Sequence, residues 1–261
     1  LKEAMIDTHT HIYLDRFKDD IDDVLERAKA AGVERFYLPN IDKDSIQDLK
    51  DLAANYANIY PMMGLHPSHV KEDWEEQLDA VWEELAGDTK YCAVGEIGMD
   101  LYWDKTFIAE QKLAFAQQIR KAKEMGLAIA IHSRDAFDET FEVLEAEADD
   151  KLFGIFHCFT GTLEQAKRAL ALNLKLGIGG VVTFKNGGLD KVVAELKTED
   201  LVLETDAPFL APAPFRGKRN EPAYLEQIAQ KIADIHQIPK EEVARITTEN
   251  ALKIFGHEER G

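Results

Sequence analysis

Two cysteines in 261 residues are too few for a disulfide framework. Cys92 opens one apolar run and Cys158 follows another, so they fall near opposite ends of the fold. Both are expected to stay free, as in a reducing cytoplasm. Long apolar runs are missing as well. None approaches the ~18–20 residues of a membrane span, and the N-terminal segment lacks the basic-then-apolar layout of a signal peptide. No membrane partner is expected. Positive charge is scarce: 31 Lys and Arg stand against 49 Asp and Glu, for a net charge of −18. That balance disfavours indiscriminate adhesion to nucleic acid, so a polyanionic substrate would need local help from metals and a few cations. There is no repeat, low-complexity tract or linker, and the span 1–261 reads as one domain. Nothing in the sequence names a protein partner.

What is present is an alternation of short apolar runs with amphipathic stretches. The apolar start before Asp7 reads as a first strand. Ile21–Ala31 is a helix stopped by Gly32, followed by a strand over Val33–Leu38. Ile59–Met63 is the third strand, and Trp74–Leu85 is a helix with Leu78, Val81, Trp82 and Leu85 at spacings of three and four. A fourth strand over Cys92–Glu96 leads to a long helix near Phe107–Met125, ended by Gly126. Strands over Leu127–Ile131, Leu152–Phe156, Leu174–Ile178 and Leu201–Glu204 complete a set of eight. Among the intervening helices are Ala136–Glu147 and one opened by Thr162, with Gln165 as a capping box. Tyr224–His236 and Glu241–Phe255 are the closing helices, the second opened by Pro239 and stopped by Gly256. Repeated βα units with short connections predict an α/β fold, a single (β/α)8 barrel of the TIM type. An open doubly wound sheet is the alternative. The lack of a glycine-rich phosphate loop after the first strand counts against it.

Chemistry gathers where the strands end. Asp7-Thr8-His9-Thr10-His11 follows the first strand, and Glu96 ends the fourth. His132, His157 and Asp206 come at the C-terminal ends of three more apolar runs. In a parallel barrel those ends share one mouth, where active sites of this fold lie. His9 and His11, two apart in an extended segment, face the same side and can reach one ion. Four imidazoles and two carboxylates at one mouth predict a metal site, for two ions, and metal-assisted hydrolysis.

The same residues fall within a longer series of motifs: Asp7-x-His9-x-His11, Gly64-x-His66-Pro67, Gly95-Glu96-Ile97-Gly98-x-Asp100 and His132-x-Arg134. His157-Cys158-Phe159-Thr160-Gly161, Glu204-Thr205-Asp206-Ala207-Pro208, Arg216-Gly217-Lys218-Arg219-Asn220-Glu221-Pro222 and Asn250-Ala251 complete the series. In this order, and across almost the whole chain, they resemble the TatD family of metal-dependent deoxyribonucleases. Met99 and Phe209 stand where leucine and tyrosine are common in that pattern, and neither is a ligand. The resemblance implies a first metal on His9, His11, Glu96 and Asp206, and a second on Glu96, His132 and His157, with Glu96 bridging. It also implies magnesium dependence, whereas the histidines by themselves suit zinc, manganese or nickel. Two such cations acidify a bound water and stabilise charge on phosphoryl oxygens. Asp206 would orient the nucleophile or take its proton, and His66 would donate to a phosphate oxygen or the leaving group. Asp7 is placed to orient a histidine through its far ring nitrogen, and Glu204 shares a strand face with Asp206.

The stretch from Ala207 to Pro222 holds Pro208, Pro212, Pro214 and Pro222 together with Arg216, Lys218 and Arg219, a basic island in an acidic chain. Arg216, Lys218, Arg219 and Asn220, with Arg134 beyond His132, are the candidate substrate contacts. Tyr102, Trp103, Phe159 and Phe209 follow strand ends and could stack on bases. The resemblance implies an exonuclease acting on single-stranded DNA, 3′ to 5′. A small-molecule amidohydrolase or lactonase, and a non-catalytic metal-bound interaction protein, are the competing readings. The basic island argues against the former and the complete ligand set against the latter.

Overall fold

A computed structural model describes residues 4–256; the expected domain span of 1–261 includes residues 1–3 and 257–261, which lie outside the described residues. The chain alternates strands and helices in the order β1 (Met5–Asp7), α1 (Ile21–Ala31), β2 (Val33–Leu38), α2 (Ile46–Asn55) and β3 (Ile59–Pro61). There follow α3 (Trp74–Ala86), β4 (Ala93–Asp100), α4 (Ile108–Met125), β5 (Ala128–Arg134) and α5 (Phe137–Ala146). The remainder is β6 (Gly154–Phe156), α6 (Leu163–Ala171), β7 (Leu174–Ile178), α7 (Leu189–Ala194), β8 (Leu201–Leu203), α8 (Leu225–His236) and α9 (Lys240–Phe255). Punctuation read from sequence recurs in the backbone. Gly32 and Gly126 close α1 and α4 in the left-handed region at φ 92° and 68°, and Thr162 and Gln165 cap α6 reciprocally.

All neighbouring strands pair in parallel, in the orders β1-β2-β3 and β4-β5-β6-β7-β8. Main-chain hydrogen bonds join the two sheets at both seams. Between β3 and β4, Met63 bridges Val94, and Cys92 N–H donates to Pro61 O (3.0 Å). Between β8 and β1, Thr8 N–H donates to Leu203 O (3.0 Å) and Asp206 N–H to His9 O (2.9 Å). The ring therefore has no free edge, which distinguishes the (β/α)8 barrel from the open sheet.

Two apolar layers follow from strand parity. Alternate residues such as Ile129 and Ile131 pack outward with Phe115, Ile119 and Leu144 of the helices. The other set (Ile6, Tyr37, Tyr60, Ala128, Ala130, Ile155 and Val202) forms a separate cluster, which Phe255 joins by stacking on Tyr37 (4.5 Å). Ala128 and Ala130 share parity with His132, Ile155 with His157, and Val202 with Glu204 and Asp206. The inward row is thus apolar low in the ring and becomes polar at the C-terminal end.

Two strands outrun their sequence limits. β4 continues to Asp100 and β5 to Arg134, so Glu96 and His132 lie within strands rather than at their ends. The register shifts between Gly95 and Ile97, and Gly98 pairs with His132. Gly98 adopts φ 143°, and a Cβ there would meet His132 O at 1.9 Å, so only glycine lets the strands run this close. α2 and α7 are short helices outside those assigned above from sequence. α2 buries Ile46, Leu49 and Ala53 at spacings of three and four, a helical period.

Candidate metal centre

Glu96 stands at the centre of the mouth, 2% exposed. Its two oxygens face different partners. Oε2 lies 3.2 Å from His9 Nε2 and 3.4 Å from His11 Nε2. Oε1 lies 2.9 Å from His132 Nδ1, 3.4 Å from His66 Nε2 and 3.5 Å from His157 Nε2. Asp206 Oδ1 sits 3.4 Å from His11 Nε2 and 3.9 Å from both His9 and His157 Nε2. Ligand atoms held about 2.1 Å from one ion at tetrahedral angles are roughly 3.4 Å apart. The separations of 3.4–3.5 Å, from Glu96 to His11, His66 and His157 and from Asp206 to His11, match that spacing and exceed a good hydrogen bond. The donor set therefore fits divalent metal.

The charge of the two carboxylates supports the fit. Burial pushes the Glu96 carboxyl up, yet the imidazoles of His66, His9 and His157 outweigh it and hold it well below the usual carboxylate range. Asp206 is likewise held low against its burial, chiefly by His157 and His11. Burial drives His9 down to about 3, leaving the neutral imidazole that metals bind. Burial also opposes charge on His11 and His132, but Asp206 and Glu96 bring His11 up to about 9, and Asp100 and Glu96 do the same for His132.

A family model described as TatD related DNase matches residues 6–256. The chain belongs to the TatD family. It is 42% identical over 252 residues to the uncharacterized metal-dependent hydrolase YabD of Bacillus subtilis, covering 96% of this chain and 98% of that one. It is 32% identical to the 3′-5′ ssDNA/RNA exonuclease TatD of Escherichia fergusonii, over 97% of this chain and 99% of the relative. The crystal structure of the TatD homologue YjjV from Escherichia coli superposes with a TM-score of 0.91 at 31% identity, covering 96% of this chain and 97% of that one.

Around the TatD-type cluster, outer contacts fix which imidazole nitrogen faces inward. Tyr13 Oη donates to Pro39 O (2.7 Å), so its oxygen is left to accept from His11 Nδ1–H (3.2 Å), freeing Nε2. Asp100 Oδ2 lies 2.8 Å from His132 Nε2, which turns Nδ1 toward Glu96. Glu204 Oε1 lies 2.9 Å from His157 Nδ1. His66 differs from the others. Its Nδ1 accepts from Ser68 N–H (3.0 Å), and burial lowers its pKa, so the neutral ring carries its proton on Nε2. That is the form of a hydrogen-bond donor, although His66 also forms with Glu96 and His132 a group that could hold a metal ion. The roles of Tyr13, Asp100 and Ser68 emerge only from the structure, although each lies an even number of residues from a site residue: His11, Glu96 and His66. We expect Asp100→Asn to lower metal affinity about 10–100-fold, the usual effect of losing such a partner. Titration of the metal-free protein with zinc under competition from a chelating dye would measure it.

Several sequence assignments change place. Asp7 touches no imidazole ring. It accepts from Thr205 N–H (2.9 Å), Thr205 Oγ1–H and His9 N–H (3.3 Å), bracing the β8–β1 seam, while burial pushes its carboxyl up to about 8. Arg219 is not free to meet substrate, because its guanidinium forks onto Asp20 (2.8 and 2.6 Å) and donates to Arg16 O. Asn220 is wholly buried, and its amide donates to Thr205 O (2.7 Å) and Phe209 O (2.6 Å), pinning the loop after Asp206. Phe159 packs in the core against Phe156 and Phe137. Arg134, Arg216 and Lys218 are exposed. Arg134 lies 3.7 Å over Tyr102 and 5.4 Å from the Trp103 ring, Arg216 3.6 Å over Phe184, and Lys218 5.9 Å from the Phe215 ring. Phe209 is exposed, with its ring 6.1 Å from His11. Asn220→Ala takes the amide donor from the buried Thr205 carbonyl and from the part-buried Phe209 carbonyl. It is expected to cost about 1–3 kcal/mol of stability, read as a lower urea midpoint at unchanged slope.

Proposed function

We propose that this metal-dependent hydrolase of the TatD family cleaves phosphodiester bonds of DNA, working 3′ to 5′ on single strands with two divalent ions. The observation that carries the reading is the division of Glu96. Oε2 faces His9 and His11, while Oε1 faces His132 and His157, as a carboxylate bridging two ions would. His9, His11, Glu96 and Asp206 would hold one ion, and Glu96, His132 and His157 the other. Such a pair of ions supplies an acidified water near neutral pH and stabilises charge on the reacting phosphoryl group. Magnesium, manganese and zinc are the candidates.

The chain's own groups account for the proton movements. Asp206 Oδ1 is turned to the histidines, which leaves the second oxygen to orient the attacking water and take its proton. As the water oxygen bonds to phosphorus, the bond to the leaving sugar oxygen breaks, and His66 Nε2–H is placed to protonate that oxygen. The aromatic–arginine pairs at Tyr102, Trp103 and Arg134 and at Phe184 and Arg216, both arginines exposed, favour a polymeric, stackable substrate over a small amide or lactone. Neither Cys92 nor Cys158 forms a disulfide, which suits the cytoplasm. Among the described residues no helix is long and apolar enough to cross a membrane.

End-labelled single-stranded DNA incubated with metal-reconstituted protein, with the metal varied, tests the reading directly. Progressive loss from the 3′ end is expected, and an intact ladder with every metal rejects it. Phosphate holding by Arg216 and Lys218 makes a further demand. Replacing both by alanine should flatten the salt dependence of binding, by about 0.7 in log–log slope for each phosphate no longer neutralised. Arg219→Ala should leave that slope unchanged, because its charge is already spent on Asp20.

A further inference from the structure

Between the segment that follows β7 and the proline-rich loop after β8 lies a cavity of about 500 Å³, within the usual range for ligand sites. Phe184, Lys185, Asn186 and Arg216 line it, and its lining includes two cations and no carboxylate, in a protein of net charge −18. Both loops leave the C-terminal ends of their strands, the end where His157 and Asp206 gather.

The cavity is built in advance. Ala213 N–H donates to Thr183 Oγ1 (2.8 Å), which itself donates to Gly180 O (2.7 Å), tying one loop to the other. A Cβ on Gly180 would meet Leu210 O at 2.2 Å, so the two backbones touch there. Gly187 N–H closes onto Phe184 O (3.1 Å), and Phe215 stacks on Tyr224 at 4.0 Å. On this frame the Arg216 guanidinium lies 3.6 Å over the half-buried Phe184 ring. One side of the guanidinium is backed by the ring, and the side chain is exposed.

A planar cation backed by an aromatic ring is a surface for another flat ring, and unpaired nucleobases use such surfaces. The Asn186 amide can both donate and accept at a base edge, and Lys185 supplies a point charge for phosphate. We propose that this cavity holds one unpaired nucleotide of the substrate strand, its base on the Arg216–Phe184 pair and its phosphate toward Lys185. The inference rests on the nucleic-acid reading above and deepens it, because a base stacked and paired in a duplex cannot enter. The cavity thereby selects single strands.

Binding of a short fluorescein-labelled phosphorothioate oligodeoxynucleotide, which resists cleavage, to the metal-loaded protein provides the test. Phe184→Ala and Arg216→Lys should each weaken binding about tenfold, and a duplex of the same length should bind at least as much more weakly. Metal content and thermal midpoint should match the parent. Arg216→Lys keeps the charge and removes only the planar stack, so parent-like binding by that variant overturns the proposal, as does a parent that binds no strand. Cutting of ordinary single-stranded DNA is scored separately. A parent that binds through the cavity but cuts with no metal rejects the nuclease reading alone. One that cuts while both variants bind normally rejects the cavity alone.

Discussion

Glu96→Ala is expected to empty the metal centre and abolish hydrolysis. Glu96 offers a separate oxygen to each half of the cluster: Oε2 reaches His9 and His11, and Oε1 reaches His132, His66 and His157. Removing it leaves imidazoles crowded in a buried site, His9 stacked on His157 at 3.3 Å, without the central negative charge. Bound ions supply several kcal/mol of transition-state stabilisation, so activity should fall at least ~10³-fold. Elemental analysis of the purified variant should find metal depleted at both positions. Two ions retained per chain would show that Glu96 is not shared. Glu96→Gln makes the sharper comparison, because it keeps the shape and removes only the charge.

The cluster was legible in the sequence because strand parity and chain order act locally. His9 and His11 are two apart, and His132, His157 and Asp206 each follow an apolar run, so a parallel barrel brings them together whatever the helices do. The fates of Arg219 and Asn220 were not legible. Asp20, which holds Arg219, is 199 residues away in sequence, and Asn220 answers to the carbonyls of a loop whose path no local pattern specifies. Asp7 misled for a related reason. Its spacing from His9 suggests a ring contact, but the β8–β1 seam places Thr205 N–H and Oγ1–H closer to its carboxylate. The length of β4 was hidden by the register shift at Gly95 and Ile97, which breaks the alternation that marks strands. Asp100, by contrast, stands in the Gly95-Glu96-Ile97-Gly98-x-Asp100 motif, but its contact with His132 depends on that same shifted register.

Asp206→Asn separates activation of water from the holding of metal. Asp206 sits at φ 56° in the left-handed region, which asparagine tolerates as well as aspartate, and its N–H donates to His9 O whatever the side chain. The loop after β8 is also pinned independently by Asn220. The variant should therefore fold and keep its shape while losing the basic oxygen. The amide oxygen can still face His11 and His9, but it cannot accept the proton of an attacking water. General-base contributions are about 10²–10⁴-fold, and we expect kcat to fall by at least ~10² at saturating metal and neutral pH, with KM changed much less. Turnover near that of the parent would assign water activation to another group. His66, whose lone pair on Nδ1 is already committed to Ser68, is poorly placed to take that role.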